Sequence, residues 1–335
     1  MNDVAVSVIV PVYNSLSSIN RCVFSLISQT LSSLEVILIN DCSTDETLTV
    51  LEEWQKQCPD KIRVFTTDRN RGAGGARNLG IEKAQGKYIG FVDSDDYVES
   101  SMYEKLYQEA LRTGADVVDT GFFVESDDKA ILYTTDECAA EFSDENRAYL
   151  IACGGYIWNK LYKRELFEDE NLRMRENCNL EDADFIVYLF GTIHSIANVK
   201  ETLYFYSDTA GSLSKEEHPG RNHKHIVGAI GAIGEKCRML SAFPKVIEAA
   251  EYEMVQLYSY GVINAIKDYL GPKEINALEA EEELKKAITE SLPYGIDKAF
   301  SNVYVKKRIE PHDLELAKLN LQSPEELLGR VFVKN

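Results

Sequence analysis

Four short runs decide what this chain can fold into. Residues 6–13 (VSVIVPVY), 34–39 (LEVILI) and 88–92 (YIGFV) are apolar at nearly every position, and 62–66 (IRVFT) is a shorter strand-like run. A strand with one wet face alternates apolar and polar residues. A run apolar at both odd and even positions is covered on both faces, as in the parallel sheets of α/β proteins. Between the runs lie helical patterns. Ile19, Cys22, Val23, Leu26 and Ile27 form one apolar stripe. Ser43 and Glu46 stand at capping-box spacing before a helix through Leu48, Leu51 and Trp54. A glycine-rich loop and short helix occupy 70–84. The expected fold is therefore α/β, a mostly parallel sheet flanked by helices. Such sheets bind ligands beyond the carboxyl ends of their strands. That rule selects Tyr13 and Asn14, Asp41, and Asp93 to Asp96.

Further along, 102–111 reads as a helix and 116–124 and 130–134 as strands. Residues 212–223 (SLSKEEHPGRNH) are polar and broken by Pro and Gly, so a domain boundary is placed there. Beyond it the pattern is helical, with a stripe of Val246, Ile247, Ala250, Met254, Leu257, Tyr258, Gly261 and Ala265. Ser323, Pro324 and Glu326 open a last helix. The 335 residues suggest about two domains. A net charge of −19 argues against a nucleic-acid partner. Seven scattered cysteines with no C-x-x-C argue against a disulfide framework or zinc cluster and fit a reducing cytosol. The first residues lack a basic region, Pro11 interrupts the first apolar run, and no run approaches a membrane span. A cytoplasmic location is expected.

Asp93-Ser94-Asp95-Asp96 places three carboxylates in four residues at a strand end. They repel one another, and without a cation among them some are pushed toward protonation. Hard oxygen ligands suit Mg²⁺ or Mn²⁺. The competing explanation is a solvated turn, or a helix start capped by Asp95 or Asp96. Asp41 can accept from a base N–H or simply stand at a helix entry. Pro11, Val12, Tyr13 and Asn14 can offer backbone groups and an aromatic edge to a base, or merely end a strand.

Taken in order, four blocks resemble glycosyltransferase family 2, with the GT-A fold. They are SVIVPVYN from Ser7 to Asn14, EVILINDCSTD from Glu35 to Asp45, NRG at Asn70 to Gly72 with ARNLG from Ala76, and GKYIGFVDSDD from Gly86 to Asp96. The resemblance implies that Asp41 contacts the base and that Arg77 lies near base or pyrophosphate. Pro11, Val12, Tyr13, Asn14, Asn70, Gly72 and Ser94 fall in the donor-binding blocks. Asp93 and Asp95 become the D-x-D pair, with Asp95 the direct metal ligand and Asp93 facing ribose or metal-bound water. One departure is Cys42, where the family usually has Gly; its small size suggests tolerance.

The second half resembles bacterial polysaccharide-type members more loosely. Residues 156–167 (YIWNKLYKRELF) match an N-K-L-Y block, and 179–185 (NLEDADF) match the segment that supplies the catalytic base. Asp182 is assigned that role, with Glu181 as the alternative; both acids could instead cap the helix that follows. Residues 204–214 resemble the aromatic stretch before a loop over the diphosphate. The basic residue or His usual after the aromatics is replaced by Ser207 and Asp208, which puts a third protein metal ligand in doubt. His218, His223 and His225 are better explained as solvated linker histidines.

Other nucleotide folds fit less well. Gly72 to Arg77 superficially suggests a dinucleotide fingerprint, but Arg77 fills the third-glycine position and the segment follows the third strand. A P-loop motif is absent from the sequence. A sugar nucleotidyltransferase needs a basic Gly-rich loop where Asn14-Ser15-Leu16-Ser17 stands. The resemblance thus implies an inverting, Mn²⁺- or Mg²⁺-assisted transferase. It would move a hexosyl or N-acetylhexosaminyl group from a nucleotide-sugar, UDP-linked by expectation, to a hydroxyl of a growing glycan or glycolipid. The alternative is a non-catalytic nucleotide-sugar-binding or scaffold protein. Residues 1–215 would form the GT-A domain, with a donor half (1–100) and an acceptor half (101–215), and 216–335 a helical region. A homodimer and peripheral contact with the inner face of a membrane are compatible with this reading.

Overall fold

The computed structural model describes residues 4–153, 156–207, 222–240, 243–270 and 276–332. The elements run β1 (Val6–Val12), α1 (Ile19–Ile27), β2 (Leu34–Asn40), α2 (Thr47–Gln57), β3 (Ile62–Thr66), α3 (Gly72–Lys83), β4 (Tyr88–Phe91), β5 (Tyr97–Val98), α4 (Met102–Thr113), β6 (Val117–Val124), β7 (Lys129–Ile131), α5 (Asp136–Ala140), α6 (Asp144–Ala152), β8 (Lys160–Lys163), α7 (Ala183–Thr192) and β9 (Ile196–Tyr206). Seven helices follow: α8 (Asn222–Met239), α9 (Pro244–Leu270), α10 (Ala277–Ser291), α11 (Ile296–Ser301), α12 (Val303–Arg308), α13 (Pro311–Gln322) and α14 (Pro324–Phe332). The chain divides into two compact units. The first comprises Met1–Asn146, Gly155–Phe185 and Thr192–Lys215; the second comprises Arg147–Gly154, Ile186–Gly191 and Glu216–Asn335.

In the first unit the strands form one sheet, ordered β3-β2-β1-β4-β8-β6-β9-β5, with β7 paired to β6. The β3-β2-β1-β4 half is parallel. Every residue of β1, β2 and β4 is buried, as strands apolar on both faces require. Helix α1 buries Ile19, Cys22, Val23 and Leu26, its predicted stripe. The other half is mixed: β8 runs antiparallel to β4 and β6, and β6 runs parallel to β9.

Two local expectations change. Ser43 does not cap α2; its hydroxyl accepts the Asn14 N–H (3.0 Å), and Asp45 Oδ1 takes the Thr47 N–H instead (3.0 Å). The strand expected at 130–134 is confined to Lys129–Ile131. The boundary expected at 212–223 lies outside the described residues up to 221.

The second unit is helical. Val246, Ile247, Ala250, Met254 and Tyr258 of α9 are buried. Gly261 admits α10 closely, since a Cβ there would lie 2.8 Å from a Leu284 methyl. A buried network threads this core. Tyr258 donates to Asn320 Oδ1, and Asn320 Nδ2 donates to Glu281 Oε2 (2.6 Å). Burial pushes the Glu281 carboxyl up to about 8, so it keeps its proton near neutrality. At α14, Ser323 caps as read, accepting the Glu326 N–H (3.1 Å). Among the described residues no helix is long and apolar enough to cross a membrane.

The parallel half is pinned beneath the site by Ser7. Its buried hydroxyl donates to Glu35 Oε1 (2.6 Å) and accepts the buried Gly86 N–H (2.8 Å), while Arg63 holds Glu35 Oε2 (2.8 Å). Ser7→Ala strands the Gly86 donor and is expected to cost about 1–3 kcal/mol. Urea unfolding should show a lower midpoint at unchanged slope; an unmoved midpoint would mean that another acceptor replaces the hydroxyl.

Candidate active site

The four residues from Asp93 to Asp96 have separate fates. Asp96 is buried (1% exposed); its Oδ1 accepts the Ser207 N–H (2.8 Å) and its Oδ2 the Tyr204 hydroxyl (2.6 Å). Burial and then the neighbouring Asp93 and Asp95 carboxylates push its carboxyl up to about 8, against the pull of those two hydrogen bonds. The repulsion foreseen in the sequence thus falls on the residue that ties the turn to β9. Tyr204 also accepts the Asp93 N–H (3.2 Å). Ser94 shares a hydrogen bond with Ser15 (2.7 Å). Asp95 stays partly exposed, its backbone carbonyl held by Arg21 (2.9 Å). Arg21 also reaches the Ser207 hydroxyl (2.7 Å) and lies over the Tyr97 ring (4.7 Å).

Asp93 faces Arg77. This arginine is 4% exposed, and its terminal nitrogens contact Asp93 Oδ1 (2.6 Å) and Glu181 Oε1 (2.5 Å). Burial works against its charge, but the two carboxylates outweigh it and hold the guanidinium protonated well above its usual range. Arg77 thus forms an internal bridge between two acids. That bridge joins the Asp93–Asp96 turn to the Glu181-Asp182 segment. Asp182 is half-buried. Burial first, then the Glu181 carboxylate, push its carboxyl up to about 6, with Arg77 opposing.

The glycines of α3 make this juncture possible. A Cβ on Gly74 would lie 2.0 Å from the Arg175 carbonyl oxygen, and one on Gly75 would lie 2.3 Å from the Arg71 Cβ. The chain before Glu181 can therefore lie directly on α3. Asn78 clamps it by a reciprocal pair with the Met174 backbone (2.8 and 3.1 Å), and the Asn177 N–H donates to the Arg71 carbonyl (2.7 Å). Arg175 braces the helix entry through Asp184 (2.7 Å). Asn177 (φ 55°) and Leu180 (φ 60°) adopt left-handed backbone on the way.

On the β2 side, Asp41 is 2% exposed and shapes a loop. Its Oδ1 accepts from the Thr67 hydroxyl (2.8 Å) and the Arg71 N–H (2.9 Å), which also reaches Oδ2 (3.1 Å). Asn70 Oδ1 accepts the Gly72 N–H (3.1 Å). Pro11 and Val12 are buried in β1, whereas Tyr13 is exposed (46%). Asn14, at φ 48°, accepts the Thr44 N–H (2.8 Å) and so stitches two strand-end loops together. Cys42 sits at φ 59°. The departure from Gly is thus one of backbone conformation rather than size. Its thiol donates to the Thr67 carbonyl (3.3 Å).

Arg21 and Tyr204 brace the acidic turn but carry no mark in the sequence beyond a helical arginine and a run of aromatics. Asp208 and His218 lie outside the described residues. His223, on α8, pairs with Glu283 (3.2 Å), and His225 lies on the same helix. Among the described residues no group of three or more His, Cys, Asp or Glu is arranged to hold a metal ion by itself.

Residues 7–170 match the family described as Glycosyl transferase family 2. Through this segment the chain belongs to that family. It is 35% identical to the uncharacterised glycosyltransferase EpsJ of Bacillus subtilis (strain 168), over 66% of each chain. In structure it is similar to S. aureus TarS residues 1–349, crystallised with UDP-GlcNAc. The TM-score is 0.74 at 21% identity, covering 98% of this chain and 92% of that one. The mannosyltransferase PcManGT of Pyrobaculum calidifontis, solved with GDP-Man and Mn²⁺, superposes with a TM-score of 0.54 at 14% identity, covering 95% and 87%. These likenesses establish the GT-A fold.

Arg77→Met should leave two poorly solvated carboxylates without their cation, at a cost of about 3 kcal/mol or more. Arg77→Lys should recover part of this, because an ammonium cannot fork to both acids as a guanidinium does. Chemical denaturation of the three proteins tests it; a loss for Arg77→Met below about 1 kcal/mol, the scale of exposed pairs, would show that water already screens the bridge.

Proposed function

We propose that the chain transfers a sugar from a nucleotide-sugar to an acceptor hydroxyl with inversion, Asp182 acting as base. The observation that carries this is the Arg77 bridge. It holds the D-x-D turn and the Glu181-Asp182 segment together, with Arg77 and Glu181 104 residues apart in sequence. A single displacement needs a carboxylate near the acceptor hydroxyl and charge stabilisation at the departing diphosphate. Glu181 is committed to Arg77 through Oε1, which favours Asp182 as the base. Asp182 would take the acceptor proton as the acceptor oxygen bonds the anomeric carbon and the bond to the diphosphate breaks. The UDP-GlcNAc of the TarS complex supports a uridine donor and a hexosyl or N-acetylhexosaminyl group. The nucleobase of the donor would rest against Tyr13 and the loop that Asp41 organises.

Asp95, with Asp93, would hold Mn²⁺ or Mg²⁺. Two carboxylates fit such an ion when water and diphosphate oxygens complete its shell, as is usual for Mg²⁺ with phosphate substrates. The Mn²⁺ of the PcManGT complex supports that assignment. When bound, the cation supplies electrostatic stabilisation of the leaving diphosphate.

Nucleoside diphosphate should bind far more tightly with Mn²⁺ than in EDTA, because the acidic turn otherwise repels it. Asp95→Ala should remove that difference at little cost in stability. Calorimetry showing equal affinity in both conditions overturns the metal assignment.

Hydrolysis of a nucleotide-sugar panel identifies the donor. With donor and acceptor in hand, Asp182→Asn should bind nucleotide like wild type yet transfer about 10²-fold more slowly or worse. A base works deprotonated, so wild-type transfer should fall as the pH drops through about 6 and level off above it. That limb should vanish in Asp182→Asn. A wild-type rate in this variant removes Asp182 from the chemistry.

A further inference from the structure

Arg21 braces the acidic turn, yet nothing that holds it neutralises its charge. It stands in the first turn of α1 and is exposed. Its Nη2 donates to the Asp95 carbonyl (2.9 Å) and to the Ser207 hydroxyl (2.7 Å). Both acceptors are neutral, so they fix the guanidinium without cancelling it. Its Cζ lies 4.7 Å from the centroid of the Tyr97 ring. That ring is itself held, stacked on Phe205 (4.7 Å, 2°) and donating its hydroxyl to Glu125 (2.8 Å). The guanidinium is therefore in place before a ligand arrives, with less rotamer freedom to lose on binding.

Other arginines around the site face acids. Arg77 meets Asp93 and Glu181, Arg71 and Arg69 meet Asp68 (2.7 and 3.1 Å), and Arg175 meets Asp184 (2.7 Å). Many acids give the chain its net charge of −19, but among the described residues none is paired with Arg21. Its Nε and Nη1 likewise have no hydrogen-bond partner among the described residues.

A guanidinium with one nitrogen pinned and the others open suits phosphate, because its planar fork can meet two phosphate oxygens at once. The residue it pins is Asp95, whose carboxylate would hold the cation that meets the diphosphate. One divalent ion does not cancel the charge of a nucleoside diphosphate. That charge also grows as the bond to the sugar breaks, so a fixed positive group beside the metal favours the transition state over the ground state.

We infer that Arg21 is a donor-site residue that contacts the diphosphate beside the metal and stabilises it as it departs. This rests on the transferase reading and deepens it. A purely bracing Arg21 would behave differently. Gln at this position keeps a side-chain donor for the Asp95 carbonyl and loses the charge, whereas Lys keeps the charge and loses the fork.

Calorimetry in Mn²⁺ with UDP, GDP and CDP selects the diphosphate that wild type binds best. Arg21→Gln should bind it about tenfold more weakly or worse, the order expected for losing a hydrogen bond between charged groups. Arg21→Lys should fall between the two. Wild-type affinity should drop as NaCl rises from about 50 to about 300 mM, and Arg21→Gln should drop less, because one ion pair fewer is screened. A residue that only braces the turn would leave that salt dependence unchanged. The assignment is overturned if Arg21→Gln binds within about twofold of wild type, or if it binds weakly with the wild-type salt dependence. Either result leaves the transferase reading standing, because wild type still binds the nucleotide. Wild type that binds none of the three diphosphates and hydrolyses no nucleotide-sugar would sink that reading, and the role of Arg21 with it.

Discussion

Arg77 is buried with its Nε unpaired, and its charge is tolerable only because Asp93 and Glu181 meet its two terminal nitrogens. Much of the site's geometry depends on that pairing. A guanidinium taken out of water needs partners on fixed elements, or the desolvation cost exceeds the attraction. Here one partner follows strand β4 and the other precedes helix α7. The cation thereby converts two chain segments into one constellation. It also explains why a glycine-rich segment precedes it. The loop bearing Glu181 can reach the arginine only where α3 has no Cβ at Gly74.

The parallel half of the sheet was legible because its strands are apolar on both faces, which few other structures need. Strand β9 was not, because IANVKETLYFY is half-covered and its charges at Lys200 and Glu201 interrupt the pattern. Strand β8 is four residues long and was seen only as a motif. Helix starts were the weakest reading, since a Ser three residues before a Glu is also free to accept from a distant backbone, as Ser43 does from Asn14. At the site, the acidic turn and the Glu181-Asp182 segment could be located by residue type. The partner of Arg77 could not, because an ion pair across 104 residues leaves no local spacing to read. Cys42 shows the same limit: its size was visible in the sequence and its positive φ was not.

The structure also separates three adjacent acids by what already holds them. Asp96 has its oxygens engaged by Tyr204 and Ser207, so it fastens the turn to β9. Asp93 shares one oxygen with a cation that never leaves. Asp95 is partly exposed and anchored through its backbone carbonyl by Arg21, which fixes where the residue stands without drawing on its carboxylate through that bond. A turn of three equivalent carboxylates would repel itself open. Giving one a buried, hydrogen-bonded role and one a permanent partner lowers that repulsion.

The same logic distinguishes the two acids of the opposite segment. A general base must be free to change its protonation, and a carboxylate held against a buried guanidinium is not, since protonating it would leave the cation uncompensated. Glu181 is in that position. Asp182, next to it, feels first the loss of water and then the like charge of Glu181, and these raise its affinity for a proton toward neutrality, the range in which the proposed base, as a carboxylate, would accept a proton from a hydroxyl and still release it. Glu181 therefore contributes twice. It completes the bridge that positions the segment, and its charge tunes the neighbour that the bridge has placed.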